Sequence, residues 1–261
     1  MRSLDIGAAG MMAQQLNVDV ISNNIANMNT TGYKKQRAAF QDLMYQNIDR
    51  PGTTSSDAGT TVPSGLQVGL GVKTGAVYRM HAQGPIQITE NELDVAILGR
   101  GFFQVDLPSG DTAYTRDGTL QLNENGELVT SHGYTIVPTI TVPTDATSID
   151  INAEGEVLIT LTGATAPTNL GQIQMADFIN PAGLEAIGNN FHLETAASGS
   201  PLTGIANQEQ FGPIEQGALE SSNVDVVTEM TNLISAQRAY EMNSNVISTS
   251  DEMLQTMSQL R

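Results

Sequence analysis

The residues able to do chemistry in this 261-residue chain are three histidines, His81, His132 and His192, and 28 carboxylates; there is no cysteine. The absence of cysteine removes thiol nucleophiles, thiolate metal sites and disulfides together. No histidine has a second one three or four residues away, the spacing a helical zinc pair needs, and no Gly-x-Ser-x-Gly elbow occurs. A triad would have to be assembled in space by the fold. Asp150, Asn152, Glu154 and Gly155 occupy the first, third, fifth and sixth places of a calcium-loop pattern, but the twelfth place, where a bidentate Glu is required, is Leu161. The related run with Gly126 at its sixth place has His132 there. Both stretches read as hairpin turns, with glycine supplying the positive φ.

Phosphate and dinucleotide signatures fail as well. In Gly69-Leu70-Gly71-Val72-Lys73-Thr74, Val72 separates glycine from lysine and the spacer is wrong for a phosphate loop. Gly99-Arg100-Gly101 lacks a third glycine, and Phe102-Phe103 would block a close backbone approach to a pyrophosphate. A glycosidase-like carboxylate pair would want aromatic platforms, yet aromatics are 5% of the chain and tryptophan is absent. No catalytic, cofactor-binding or metal-ligating residue is assigned, no cofactor is expected, and the chain does not read as an enzyme.

The elements that would have positioned such groups are more informative. Residues 1–33 and 222–261 are lightly charged, amide-rich stretches with apolar residues on steps of three and four. Leu4, Met11, Val18 and Ile25 form one stripe near the start, beside a second containing Ile6, Ala9, Ala13, Leu16 and Val20. At the other end Met230 and Ile234 open a helix whose seam continues through Ala239, Val246, Met253, Met257 and Leu260, with Tyr240 beside it. Helices apolar on more than one face require more than one neighbour. Their Gln, Asn and Ser content excludes lipid as that neighbour, so no membrane insertion is expected. Ser222-Asn223-Val224-Asp225 predicts an N-cap with a carboxylate in the first turn, where the helix dipole favours it.

Between the ends, Asn29-Thr30-Thr31-Gly32 predicts a helix stop, with Gly32 in the left-handed conformation. Asn23, Asn24 and Asn27 read equally as helix-terminal caps or as interhelical hydrogen-bond partners that fix register. Residues 34–47 fit either an amphipathic helix or an extended arm, with Phe40, Leu43 and Met44 on one side, and 50–59 reads as an extended loop. Period-two alternation starts at Leu66. Two echoing hairpins follow, with Leu120, Leu122, Leu128, Ile149, Ile151, Val157 and Ile159 predicted to face inward, then a strand over 172–178 and a loop over 183–191. Phe102 and Phe103 alternate, so at least one enters the core. The expected class is α+β: paired, coiled-coil-like terminal helices (1–33 with 222–261), a connecting arm (34–75) and a mainly antiparallel β domain (76–221).

Net charge is −17 with only 11 Lys and Arg, which disfavours nucleic acid and anionic membrane as partners. No cleavable secretory signal is expected, because Asp5 interrupts the first apolar run.

Ser22-Asn23-Asn24-Ile25-Ala26-Asn27 followed by Thr31-Gly32-Tyr33-Lys34 resembles the opening signature of the bacterial flagellar rod and hook family. Leu98-Gly99-Arg100-Gly101-Phe102-Phe103, Tyr114-Thr115-Arg116-Asp117-Gly118, Ser222-Asn223-Val224-Asp225 and Gln237-Arg238-Ala239-Tyr240-Glu241 are similar to its later marks, in the same order. The segment from Tyr45 to Gly71, with Pro51, Pro63 and Gly65, resembles one that distal-rod members carry and hook members lack. The resemblance implies a homopolymeric hollow tube of helically arrayed subunits, a drive shaft in the basal body with helices inside and the β module outside. It further implies contacts with proximal rod proteins, a hook or hook-junction protein and the P- and L-ring proteins as bushing. Uncleaved passage through the flagellar type III export apparatus to a rod spanning the periplasm completes the implication. A proximal rod or hook subunit is the nearest alternative; a secreted β-module enzyme with helical oligomerisation ends is one of another class.

Overall fold

The computed structural model describes residues 2–49, 65–163, 166–208 and 210–259. The expectations on Pro51, Pro63, Leu260 and the 50–59 loop lie outside them. The chain divides into two compact units, one of residues 1–25, 36–78 and 225–261, the other of 26–35 and 79–224.

The first unit holds helices α1 (Arg2–Ala26) and α2 (Val226–Gln259) with extended segments. Asp225 caps α2: its Oδ1 accepts the Val227 amide at 3.1 Å and its Oδ2 the Thr228 hydroxyl at 2.7 Å. Ser250 Oγ donates to Ser3 Oγ at 3.1 Å, and Asn24 Nδ2 donates to Glu229 Oε2 at 3.2 Å, so the helices run antiparallel. Between those ends, Gly7 and Gly10 admit the other helix closely. A Cβ at Gly7 would lie 3.0 Å from Ile247 Cγ1, and one at Gly10 would lie 2.9 Å from Asn243 Nδ2. Ser3, Gly7 and Gly10 on α1 meet Ser250, Ile247 and Asn243 on α2, alternating steps of four and three along each helix.

Residues 34–47, open between helix and arm in sequence, are extended. Gln36–Asp42 pairs with Val72–Arg79, and Tyr45–Asp49 pairs antiparallel with Leu66–Gly69. The strand region expected from Leu66 begins there, although burial does not alternate along Leu66–Gly69 or Val72–Arg79.

The second unit is β-rich. A six-stranded antiparallel sheet runs in the order Glu185–Gly188, Phe191–Leu193, Thr112–Thr115, Phe102–Asp106, Gln174–Asp177, Leu202–Ile205. Both sides of the strand Phe102–Asp106 are covered. Phe103 joins the main core of Val95, Leu120, Leu128, Ile151, Val157 and others, while Phe102 packs with Tyr114, Phe178 and Leu184. The two predicted hairpins form, Leu120–Leu122 with Leu128–Thr130 and Ala146–Ile151 with Glu156–Leu161, and Gly126 and Gly155 turn at φ 79° and 80°.

Three expectations are corrected. Leu122 is not inward: it is 40% exposed, because its strand ends there and the chain leaves the sheet into the Asn123 turn. Residues 183–191 are not a loop but mostly a hairpin, Glu185–Gly188 with Phe191–Leu193, turned by Asn189 and Asn190 at φ 51° and 62°. The first helix stops at Ala26, ahead of the expected Asn29-Thr30-Thr31-Gly32 stop, although Gly32 is left-handed as expected, at φ 68°. The following donors find non-helical partners: the Thr30 amide bonds Asn27 O at 3.2 Å and the Gly32 amide bonds Glu220 O at 2.7 Å.

Candidate functional site

Two features stand out, one in each unit: a buried ionic node in the β unit, and an outward apolar surface on the helices.

The node is built from segments far apart in sequence. In the strand Ala218–Glu220, Ala218 and Glu220 share one face, and each is 1% exposed. A carboxylate buried so deeply must be paired. Glu220 Oε1 accepts from Lys34 Nζ at 2.5 Å and from the Gly84 amide at 2.8 Å, and Oε2 accepts from Arg116 at 3.2 Å. Lys34 donates further to Ala82 O at 2.9 Å, and Arg116 to Gly99 O at 2.6 Å. The Arg116 guanidinium also lies 5.3 Å from the centre of the Phe102 ring.

The backbone around the node is crowded enough to require glycine. A Cβ on Gly32, which has φ 68°, would lie 3.0 Å from Arg116 C and from Asp117 N. One on Gly84 would lie 2.0 Å from Ser221 O. Asn223 adds a polar bridge beside it: Oδ1 accepts the Lys35 amide at 2.7 Å, and Nδ2 donates to Met80 O at 2.9 Å and Ala82 O at 3.0 Å. Residues 31–34, 98–103, 114–118 and 222–223, singled out separately in sequence, therefore converge on Glu220 or its neighbours.

Burial pushes the Lys34 ammonium below its ordinary value, and the adjacent Glu220 carboxylate opposes that shift. Arg116 is lowered by the same cause and supported by Glu220 and then Asp177. His81 and His192, far apart in sequence, meet here with ring centroids 6.1 Å apart. Burial drives His81 down to about 3, helped by His192, Lys34, Arg116 and Arg79. Burial likewise takes His192 down to about 4, with Arg79 adding to it. A general base works best with a value near the operating pH, so two imidazoles held this low are suited to packing rather than proton transfer.

In the helical unit Asn24, 1% exposed, ties α1 to two other elements: Oδ1 accepts the Gln36 amide at 2.8 Å, and Nδ2 donates to Gln36 O at 2.9 Å as well as to Glu229. Leu4, Met11, Val18, Ile25 and Asn27 are half-buried, and Asn23 is exposed. The stripe predicted on α2 does not face α1. Met230, Ile234, Tyr240, Val246, Met253 and Met257 are all exposed, from 42% to 62%, because α1 takes the face of Glu229, Ala236, Asn243, Ile247 and Ser250 instead. Tyr45 is likewise 55% exposed, and Gly65 is half-buried. Gly99 and Gly101 take φ 122° and 130°, and a Cβ on Gly101 would lie 2.3 Å from Met175 Cε. These glycines hold the turn into the buried Phe102 and Phe103.

Sequence reasoning quoted Lys34 and Arg116 but missed Glu220. The available signal was a charged residue in the strand Ala218-Leu219-Glu220 at the position that shares a face with the small, apolar Ala218.

A β unit locked by a buried charge cluster, joined in one chain to long helices that leave an apolar face uncovered, has the form of a structural subunit. Family models match in three places: the flagella basal body rod protein model over residues 4–34, the flagellar hook protein FlgE/F/G D1 domain over 96–159, and the flagellar basal body rod FlgEFG protein C-terminal model over 215–260. The chain is 56% identical over 261 residues to the flagellar basal-body rod protein FlgG of Caulobacter vibrioides, covering 100% of both. It is 49% identical to the protein of that name in Agrobacterium fabrum over 99% of this chain and 98% of that one. The flagellar hook-basal body complex protein FlhP of Bacillus subtilis is 33% identical over the full length of both. The chain belongs to the flagellar basal-body rod protein family and is a structural rod subunit.

Proposed function

We propose that this chain is the subunit of the distal section of the flagellar rod, polymerising with itself into a hollow helical tube that carries torque from motor to hook. The observation that carries this reading is full-length identity of 56% to a protein named FlgG, against 33% to the hook-basal body complex protein FlhP. The exposed stripe Met230, Ile234, Val246, Met253 and Met257 supports it, since such a row on a helix matches surface that another copy buries.

In this reading residues 1–33 and 222–261 form a coiled-coil-like core, 34–75 an arm whose rod-specific segment braces neighbours, and 76–221 the outer domain. Helices that lack part of their tertiary cover are marginal in water, so ordering of the ends is coupled to assembly. A loosely ordered terminus also suits passage through the type III export channel without a cleaved signal. Proximal rod proteins below, a hook or hook-junction protein above and P- and L-ring proteins around are the partners. The role is mechanical and non-enzymatic, at the basal body from periplasm to outer membrane.

Electron microscopy of basal bodies from cells lacking this chain tests the assignment. The expected result is a rod that stops short, with no hook. A complete rod lacking only its hook would move the chain to the hook, and intact flagella would overturn the reading. In the same preparations, straight and stiff rods from a chain lacking residues 47–64 would remove the bracing role.

A further inference from the structure

Among the described residues some cations of the β unit make no ion pair, and one of these lines a cleft. Of the arginines and lysines around the ionic node, Lys34 and Arg116 share Glu220, and Arg100 pairs with Asp177 at 3.0 Å. Arg79 lies beside them and, among the described residues, makes no ion pair. It is half-buried and lines a surface cleft of about 180 Å³ with Asn27, Tyr33, Asn189, Asn190 and His192. Burial lowers its value from the ordinary one and Tyr33 opposes that shift only in part, the mark of a charge removed from water without full compensation.

The walls suit an anion. Lys34 also lines the cleft, His192 on its wall is held neutral at physiological pH, and the Asn190 side-chain amide donates to Thr31 O at 3.0 Å, which fixes the hairpin turn at the rim. A guanidinium presents a planar fork that fits a carboxylate with two parallel hydrogen bonds. The cleft has room for an Asp or Glu side chain and too little for a bulky ligand. The chain itself is the obvious source, because each copy carries 28 Asp and Glu against 11 Lys and Arg.

We propose that the Arg79 cleft is a receptor for a carboxylate side chain of a second copy of this chain, so that the excess acidity of one subunit is answered by a cation held in reserve on the next. This rests on the homopolymer reading above. It gives a strongly acidic chain a directional contact outside the helices, where like-charged subunits would otherwise only repel.

The test uses the full-length chain expressed in cells lacking their own copy. R79K rods are isolated as basal bodies and treated with a carbodiimide, which activates a carboxylate as an O-acylisourea; the adjacent lysine amine attacks it, forming an amide and releasing the reagent as its urea. Peptide mass spectrometry should find position 79 linked to an Asp or Glu of another chain. Links only within one chain, or none, overturn the proposal. R79Q should lower the number of completed rods several-fold while leaving the melting temperature of the purified monomer unchanged. A lowered monomer melting temperature would make Arg79 a residue of the fold and sink the receptor, as would a melting temperature or rod count that responds to added inorganic phosphate through Arg79, the sign of a free anion as occupant. Failure of the wild-type chain to restore rods in the same cells would instead remove the homopolymer reading.

Discussion

The β unit and the helical unit solve opposite problems with the same kind of residue. In the β unit, polar groups from three distant segments turn inward onto Glu220, and each face of the strand Phe102–Asp106 is covered by the chain itself. In the helical unit Asn24, Gly7, Gly10 and Ser250 lie where the helices meet, with Val20 and Ile21 buried, while large apolar side chains such as Met253 and Met257 look outward. The first arrangement specifies a finished domain. The second specifies an antiparallel register and leaves hydrophobic surface for another molecule to cover, so one chain holds both a closed unit and an open one.

The comparison breaks most visibly at Glu220. Glu220→Ala leaves Lys34 and Arg116 buried without their anion, and should cost about 3–5 kcal/mol in a thermal or urea melt of the β unit. The helical content of the far ends should not follow that loss directly; a single transition in which all signals fall together would argue against two separable units.

Acid is the next lever. His81 and His192 have folded values of about 3 and about 4, below the ordinary 6.5, so the unfolded chain binds more protons between those limits. Above pH 6.5 neither ring has to lose a proton to fold, and stability falls as pH drops through that window, by about 1.4 kcal/mol for each unit of depression. Urea melts from pH 7 to 4.5 should show the fall, and His192→Gln should flatten it.

Asn24→Ala probes the opposite unit. It orphans the Gln36 amide and carbonyl and removes one partner of Glu229, and should cost about 1–3 kcal/mol, read as lost helix signal in circular dichroism. The smallest effect on the monomer is expected from Met253→Ser with Met257→Ser. Both side chains are exposed, so monomer stability should change by no more than about 0.5 kcal/mol, whereas rods counted in isolated basal bodies should be lost.

Much of this was legible in the residues. The Asn/Glu-Gly turns announced their hairpins because a positive φ at Gly126 and Gly155 is a local requirement. Asp225 announced the start of α2 for a similar reason, a side chain bonding the next few residues. Leu122 misled because alternation says nothing about where a strand ends, and Asn189-Asn190 was overlooked because a turn made without glycine carries a weaker signal. The face that α2 gives to α1 was not legible as an apolar stripe, since Glu229, Ala236, Asn243 and Ser250 recur at helical spacing but are polar or small. Glu220 was the least legible, because its meaning depends on Lys34, Gly84 and Arg116, none of them near it in sequence.

Amide hydrogen exchange, compared between the monomeric full-length chain and assembled rods, bears most directly on the division between a closed unit and an open one. Amides in α1 and α2 should exchange rapidly in the monomer and become protected in rods, while those of the strands Phe102–Asp106 and Gln174–Asp177 are protected equally in both. Helices already protected in the monomer, with no further change on assembly, would contradict it.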